Sequence, residues 1–486
     1  VTYKHGIYPS EVPTSVIPPI EAESGLPVVF GTAPLHLASA SAGANNPVLA
    51  YTYAEAVAAF GYSDDWKNYT LCEFIYSHFS LFNVAPVVLV NVLDPNVHKE
   101  AITNQTVEIT QDTAIITSAP VLLDTLEVKL AEAGQPLVKG TDYVAGYNDD
   151  RNVVITPING GAISNEQTSL IVSYTKLKPD MVSKDDIVGG IDSTTGEPEG
   201  LELVAKVYPL FQLVPGQVLA PGWSTDPLVA AVLHAKAGSI NGVFHATAIA
   251  DIPTTGAGAA TQYTQAPAWK TNNNYVNKQL IVCWPKVALS GKTFHLSTQL
   301  AGICCQTDAD NDDIPYMSPS NKSLQANGAV TADGKKVYLD LTQANYLNGQ
   351  GIVTALNFIG GWRLWGNRTS AYPGSSDIKD TFIPVRRMFN WIANTLVLTH
   401  WQKVDAPITR RLVETLVDSA NIWFNGLAAR EMILGGRVEF LEEENPKTDL
   451  LNGVFRLHYY VAPPPPAEDI EEVIEYDVSY FNTLFD

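Results

Sequence analysis

Cysteine is scarce in this chain. Four thiols, Cys72, Cys283, Cys304 and Cys305, are spread over 486 residues. That is too few for a disulfide framework, and the adjacent Cys304 and Cys305 offer no CxxC spacing for zinc or redox chemistry. All four are expected to be reduced, as in a protein that folds in a cytoplasm. Basic side chains are also in deficit: 30 Lys and Arg stand against 51 Asp and Glu, a net charge of −21. A phosphate backbone repels such a surface, so nucleic acid is not an expected partner. No stretch approaches the ~18 consecutive apolar residues of a membrane helix. The opening Val1-Thr2-Tyr3-Lys4-His5-Gly6 lacks the apolar segment of a signal peptide. A soluble protein with no membrane insertion is expected.

Signatures of chemistry are missing as well. HExxH, GxxxxGKS/T and GxSxG do not occur. Asp308-Ala309-Asp310-Asn311-Asp312 imitates the start of a calcium loop, but Asp313 stands where the sixth-position glycine belongs and Pro319 where the twelfth-position glutamate belongs. An acidic helix end or loop is the expected structure there. Gly256-Ala257-Gly258 lacks the third glycine of a dinucleotide fingerprint and reads as a flexible loop. The nine histidines are scattered. No catalytic residue, metal or cofactor is therefore expected. An α/β enzyme acting on a small molecule remains as the rival reading, and a secreted surface-layer or adhesin protein is disfavoured by the absent signal segment.

What is present is a clear alternation of structural grammars. Val28-Val29-Phe30-Gly31 and Ala85 to Leu93 read as buried strands, with helices over 53–60 and 69–82. The same pattern returns after residue 185, with helices over 199–211 and 227–237 and strands over 217–220, 242–250 and 279–287. Strands alternating with helices predict an α/β core with a largely parallel sheet, over 21–95 and 180–340. Between these halves, residues 96–179 carry short alternating runs such as Thr106-Val107-Glu108-Ile109 and Ser169 to Tyr174, separated by turn clusters. They predict an inserted all-β, sandwich-like domain.

Residues 341–462 read as an α+β domain. A helix interrupted by Gly349 and Gly351 is expected over 344–358, followed by a strand over 362–366. Pro384 opens a helix whose apolar stripe is Val385, Met388, Phe389, Ile392 and Leu396, with Arg386, Arg387, Asn390 and Asn394 opposite. A second helix runs from Ile408 to Trp423 and exposes Arg410 and Arg411. Two alternating strands follow, the first with Val438 and Phe440, the second with Phe455, Leu457, Tyr459 and Val461.

Both ends are extended. Residues 1–20 hold four prolines, yet Ile7, Tyr8, Val12 and Val16 are too apolar for a solvated tail. The segment either folds back on its own domain or needs a partner surface. At the other end Pro463 to Pro466 form a stiff spacer of about 12 Å. Beyond it Ile474, Tyr476, Val478 and Tyr480 alternate with Glu475, Asp477 and Ser479. A lone strand of that kind is unstable, and addition to a neighbour's sheet or packing across a Pro-rich turn are its two outlets. Charge is segregated nearby. Residues 362–411 carry eight basic and three acidic side chains, and residues 439–486 carry two basic and twelve acidic ones, as complementary surfaces of a self-assembly would.

The order of these motifs resembles contractile phage tail sheath proteins. The likeness is carried by His5 to Pro13, by Gly25-Leu26-Pro27-Val28-Val29-Phe30-Gly31-Thr32-Ala33-Pro34, by the 227–252 block, by Asn357 to Thr369 and by Phe382-Ile383-Pro384-Val385-Arg386-Arg387. The resemblance implies a virion or phage-tail-like particle assembled in a bacterial host's cytoplasm. It implies stacked six-subunit rings around an inner tail tube, with baseplate and tail terminator proteins as further partners. It also implies that arms 1–20 and 463–486 join a neighbour's sheet, with Val438, Phe440, Phe455, Leu457 and Tyr459 receiving them. Arg386, Arg387, Arg410 and Arg411 fall in the region implied to face the tube.

Overall fold

The computed structural model describes residues 17–117 and 119–484. Along the chain, β1 (Pro27–Gly31) is followed by β2 (Val48–Ala50), α1 (Tyr53–Phe60), α2 (Thr70–Ile75) and β3 (Val87–Asn91). Thr52 caps α1 by accepting a hydrogen bond from the Glu55 amide. The helix expected over 69–82 is α2 running into π-helical turns over Tyr76–Leu81.

The insertion comprises β4 (Lys99–Thr110), β5 (Thr113–Ile116), β6 (Glu127–Lys129), β7 (Tyr143–Tyr147), β8 (Val153–Pro157) and β9 (Ser169–Leu177). These strands follow one antiparallel order, β6-β9-β4-β5-β8-β7, with β4 shared between its two halves. The long β4 shifts register between Ile102 and Gln105 and pairs with β9 along most of its length and with β5 at its end. That irregularity lets one strand bend and serve both halves. In the loop after β6, Leu137 N donates back to Val128 O (2.8 Å), and the insertion has a core of its own that includes Val128, Val153, Ile155, Leu170 and Val172.

The chain then returns through α3 (Lys184–Val188), the short pair β10 (Gly190–Ile191) and β11 (Pro198–Glu199), α4 (Val207–Phe211), β12 (Gln217–Leu219), α5 (Pro227–Gly238), β13 (Thr247–Asp251), α6 (Ala266–Asn272) and β14 (Leu280–Cys283). The main sheet has the order β14-β13-β12-β1-β3-β2, parallel except for β2. Its strands are buried along their length, which is why they read as continuous apolar runs. The strand expected over 279–287 is two, because Pro285 interrupts it: β14 and then β15 (Lys286–Leu289).

β15 pairs with β16 (Lys292–Phe294) and, after α7 (Leu296–Ala309), with β17 (Gly328–Val330), which in turn pairs with β18 (Lys336–Val337). Next come α8 (Leu341–Asn348) and the hairpin of β19 (Thr354–Phe358) and β20 (Gly361–Trp365). The helix expected over 344–358 therefore ends at Asn348. Gly351 sits at φ 65° with Tyr372 O and Thr369 O packed where a Cβ would be, so the chain must turn there. Val353 instead joins β14 through Val282 and Trp284. The last elements are α9 (Ile378–Thr381), α10 (Ile383–His400), α11 (Arg410–Ala429), β21 (Gly435–Glu439), α12 (Lys447–Leu451) and β22 (His458–Ala462). A single apolar core runs from the main sheet through Met388, Trp391 and Phe424 to Val438.

Two histidines are held neutral within this fold. Burial pushes His78 down to about 3, and burial together with the Arg151 charge does the same to His36. Their folded pKa values lie below the ordinary value, so the stability they contribute is full above pH 6.5 and is lost as pH falls below it. Stability is expected to decline by up to about 1.4 kcal/mol per pH unit for each histidine between pH 6 and 4. Urea melts of the wild type and of a His78→Phe variant measure this, and the variant's profile should be flatter by one proton.

Candidate functional site

The carboxyl ends of β1 and β12 form the point where the main sheet's strand order reverses, the usual ligand crevice of such sheets. Here it is filled from within. Trp223 Nε1 donates to Thr70 Oγ1 (3.2 Å). Glu73 accepts from the His295 amide (2.7 Å) and Thr298 Oγ1 (2.9 Å), with His295 Nδ1 at 2.8 Å. Burial would raise the Glu73 carboxyl, and the His295 contacts outweigh it, leaving its pKa below the usual range. Asp251, at the end of β13, accepts from the Ser297 amide (3.0 Å) and hydroxyl. The first turn of α7 thus plugs the crevice. Among the described residues no group of three or more His, Cys, Asp and Glu could hold a metal, and no helix is long and apolar enough to cross a membrane.

The residues expected to make contacts with other molecules lie in the C-terminal half and at the chain ends. On α10, Arg387 was expected on an open face; it is buried, 3% exposed, in a two-pronged ion pair with Asp308 at the end of α7. Burial alone would lower its pKa, and the Asp308 charge holds it above the ordinary value. Asn390 exchanges hydrogen bonds with Gln279 (3.0 and 2.9 Å), and Asn394 with His245 (2.9 and 2.8 Å). The stripe opposite Val385 and Met388 is a polar seam against the α/β core, not a tube-facing surface. Arg386 is also mostly covered and bonds Asp380 (3.2 Å). Of the four arginines only Arg410 and Arg411 on α11 are exposed, Arg410 pairing with Glu414.

The N-terminal positions Ile7, Tyr8, Val12 and Val16 lie outside the described residues. Residues 17–20, assigned to the same arm, lie on their own chain. Ile17 N donates to Ser419 Oγ (2.8 Å), Ile20 N to Thr399 Oγ1 (2.9 Å) and Ala22 N to Thr395 Oγ1 (3.1 Å). Trp391 Nε1 donates to Ala22 O (2.9 Å). Prolines leave this segment without a regular ladder, and hydroxyls of α10 and α11 take its amides instead.

β21 and β22 form a two-stranded antiparallel sheet that pairs with no other strand among the described residues. Val438 and Tyr459 lie on it as expected, whereas Phe440 falls just past β21, and Phe455 and Leu457 precede β22. Asn445 explains the late start, because its side chain binds the Arg456 amide and carbonyl and holds that stretch as a loop. Tyr459 packs edge-on against Phe424 of α11.

After β22 the spacer Pro463–Pro466 crosses a groove of about 720 Å³ lined by Tyr316, Asn345, Asn348 and Trp365. It ends at Glu468, whose carboxylate accepts from Arg368 Nε (3.1 Å) and Nη2 (2.5 Å). The guanidinium of Arg368 stacks on Phe382 (3.7 Å) and Tyr372 (4.5 Å). Beyond it, residues 469–477 have no regular structure, and Val478–Leu484 is a 3₁₀ helix. The strand expected over 474–480 is not formed within the single chain. Ile474 is 95% exposed, and Tyr476, Val478 and Tyr480 are exposed with it. An alternating strand with no edge beside it has nothing to satisfy its amides except water.

Loss of the Arg368–Glu468 bridge should cost little stability, about 1 kcal/mol or less, because both groups reach solvent. It should nonetheless free the spacer. Spin labels at Ser320→Cys and Asp469→Cys are expected to give a narrow distance distribution that broadens on Glu468→Gln.

No family model matches the sequence. The tail sheath protein of Burkholderia phage BcepMu is 29% identical over 490 residues, covering 99% of this chain and 98% of that protein. The tail sheath protein of Escherichia phage P2 is 25% identical over 362 residues, covering 72% of this chain and 83% of that protein. The chain is thus similar to phage tail sheath proteins along nearly its whole length. The fold agrees. The sheath of the extracellular contractile injection system PVC in its contracted state superposes with a TM-score of 0.58 at 13% identity, covering 99% of both chains. The contracted helical sheath of the anti-feeding prophage does so at 0.56 and 14%, covering 98% of this chain and 100% of the other. Sequence reading missed Ser419, Thr395, Thr399, Arg368 and the pairing of Asp308, and also Asn421 of α11, whose side-chain amide binds the Val438 amide (2.9 Å) and carbonyl (3.2 Å). The hydroxyls of Thr395 and Thr399, one helical turn apart, were the one local signal available.

Proposed function

We propose that this chain is the repeating structural subunit of a contractile sheath. It polymerises as stacked hexameric rings around an inner tail tube and shortens to drive that tube through a target envelope. The observation that carries this reading is a pair of unfinished elements among the described residues: a two-stranded sheet with no further strand beside it, and an exposed, alternating C-terminal segment that joins no sheet. Each completes the other in a second copy, by strand addition.

The mechanism follows from where the arms begin. Ser419, Thr395 and Thr399 fix the root of the N-terminal arm, and Arg368 fixes the root of the C-terminal one. The freely extending part beyond Glu468 is residues 469–484, with a reach of at most about 55 Å. A strand donated across such a tether stays paired while compact bodies rotate and repack, so the lattice changes shape without falling apart. Weak contacts suffice because each subunit makes several at once. No nucleotide is consumed: the extended lattice is trapped on assembly and relaxes cooperatively on release. Arg410 and Arg411 are the two basic groups of the original four that are free to meet a tube, and baseplate and terminator proteins would bound the polymer.

Relatives from virions and from contractile injection systems support the same subunit role. The enzyme reading gains nothing from the sheet's switch point, which Trp223, Glu73 and His295 occupy. Electron microscopy of the overexpressed chain tests the proposal. Hollow helical polymers are expected, and a monodisperse small oligomer with catalytic activity would refute it.

A further inference from the structure

The insertion meets the α/β core at a contact centred on one imidazole. β1 is followed by a 3₁₀ turn over Leu35–Leu37, and Leu35, buried in the core, fixes that turn so that His36 stands at the core's rim. The half-buried ring lies between two phenols. Tyr69, just before α2, is 6.0 Å away between centroids, and Tyr147, the last residue of β7 in the insertion, is 5.6 Å away. Tyr147 is held in turn by its hydroxyl, which donates to Val121 O (2.5 Å). Arg151, between β7 and β8, donates from Nη1 to Ser63 Oγ of the core (2.9 Å). A cleft of about 790 Å³ opens beside these residues.

The Nδ1 atom of His36 is covered and has no hydrogen-bond partner. A neutral imidazole tolerates one bare nitrogen at modest cost, whereas an imidazolium there is an unpaired charge withdrawn from water. The surrounding groups give it no relief. Burial keeps Tyr69 and Tyr147 protonated and uncharged, and Arg151 carries charge of the same sign. Asp65, Asp150 and Asp180 border the cleft without bonding the covered nitrogen. Glu100, also on the cleft, is occupied by Lys176 (3.4 Å) and Lys178 (3.1 Å).

The base of the insertion is built the opposite way. Lys178 N donates to His98 O (2.9 Å) and ties the incoming chain to the outgoing one. His98 Nδ1 accepts from the Asp94 amide (3.0 Å), and its Nε2 lies 3.5 Å from Asp186, so a proton gained there meets a carboxylate. Acid thus works against the rim contact and not against the connectors. The apolar cores on the two sides are separate clusters, so the insertion can turn on its connectors without opening either.

We propose that His36 is an acid-sensitive latch: its neutral ring holds the insertion against the α/β core, and protonation releases residues 99–177 to turn about the His98–Lys178 pair. The latch belongs to the single chain and does not depend on the sheath reading. The docked ring resists protonation down to about pH 3, while a released ring has the ordinary histidine value near 6.5. Docking is therefore fully favoured above pH 6.5 and weakens as pH falls, and the ratio of released to docked chains rises about tenfold for each pH unit below 6.

Spin labels at Ala54→Cys on α1 and Val144→Cys on β7, both exposed positions, read the distance across the contact. A second distance population is expected to grow between pH 6 and 4.5 by about tenfold per pH unit, while the far-ultraviolet circular dichroism stays unchanged. A single population down to pH 4.5 overturns the proposal, and so does a second population that appears only as the dichroism is lost. His36→Phe keeps a ring and removes the proton, so one population is expected at every pH. His36→Gln makes the same test if the phenylalanine variant does not fold. The wild-type response persisting in a folded variant of either kind overturns the latch. His78→Phe removes the other buried imidazole and should leave the response in place; its disappearance there would assign the switch to His78 instead.

Discussion

A chain ending at Pro466 is expected to fold and to remain unpolymerised. None of residues 467–484 is buried, so their removal leaves both apolar cores intact and costs the folded monomer only the Arg368–Glu468 bridge. The loss to the lattice is larger. A donated strand of seven residues brings several backbone hydrogen bonds, each about 0.5–1.5 kcal/mol net. Partial burial of Ile474, Tyr476, Val478 and Tyr480 adds about 1–2 kcal/mol apiece. Ordering a free segment opposes this by about 1–2 kcal/mol per residue, which leaves a net gain of a few kcal/mol per contact. Each 1.4 kcal/mol is a factor of ten, so the concentration needed for polymerisation should rise at least a hundredfold. Sedimentation of polymers with negative-stain microscopy measures it. Sheaths formed by the truncated chain at the wild-type concentration would show that the segment is dispensable.

The largest stability effect is expected at Asp308. Its carboxylate accepts from both terminal nitrogens of Arg387 and from Ser24 Oγ (2.8 Å), and Arg387 also donates to Ser24 O (3.2 Å). The cluster joins α7, α10 and the N-terminal strap at a place closed to water. Asp308→Ala leaves a guanidinium buried without a counter-charge, at a cost of about 3–5 kcal/mol. Replacing both partners together, Asp308→Leu with Arg387→Met, should recover most of that loss, since an apolar pair of similar size owes no desolvation. Chemical denaturation midpoints distinguish the two. A loss below about 1 kcal/mol for Asp308→Ala would mean that water reaches Arg387.

These two sites differ in how far the chain's own pattern reveals them. Ile474 to Tyr480 announce a strand by strict alternation, which depends only on neighbours two residues apart. The pair at Arg387 gives no comparable signal. Asp308 sits in an acidic run that resembles a broken calcium loop, and Arg387 sits on a helix face that periodicity marks as solvent. Their sequence separation is 79 residues, so no local window contains both. The same holds for Asn390 with Gln279, 111 apart, and for Asn394 with His245, 149 apart. Asn421 is another such case: an asparagine inside an amphipathic helix has many ordinary uses, and its role appears only when Val438 lies beside it.

Local periodicity was enough to establish the alternation of strand and helix in the α/β core, the strands of the insertion and the helices α10 and α11. These follow from backbone geometry, in which a repeat of two or of 3.6 residues decides what a short stretch can bury. Tertiary structure decided the rest: that the two halves of the insertion share β4, that α10 is polar because it is clasped rather than wetted, that residues 17–22 lie on hydroxyls of their own chain, and that Asn421 covers Val438 on β21. The reason is that a polar side chain carries no mark of its partner. Water, a carboxylate 79 residues away and a backbone rung satisfy it equally well, and only the folded chain shows which of them is there.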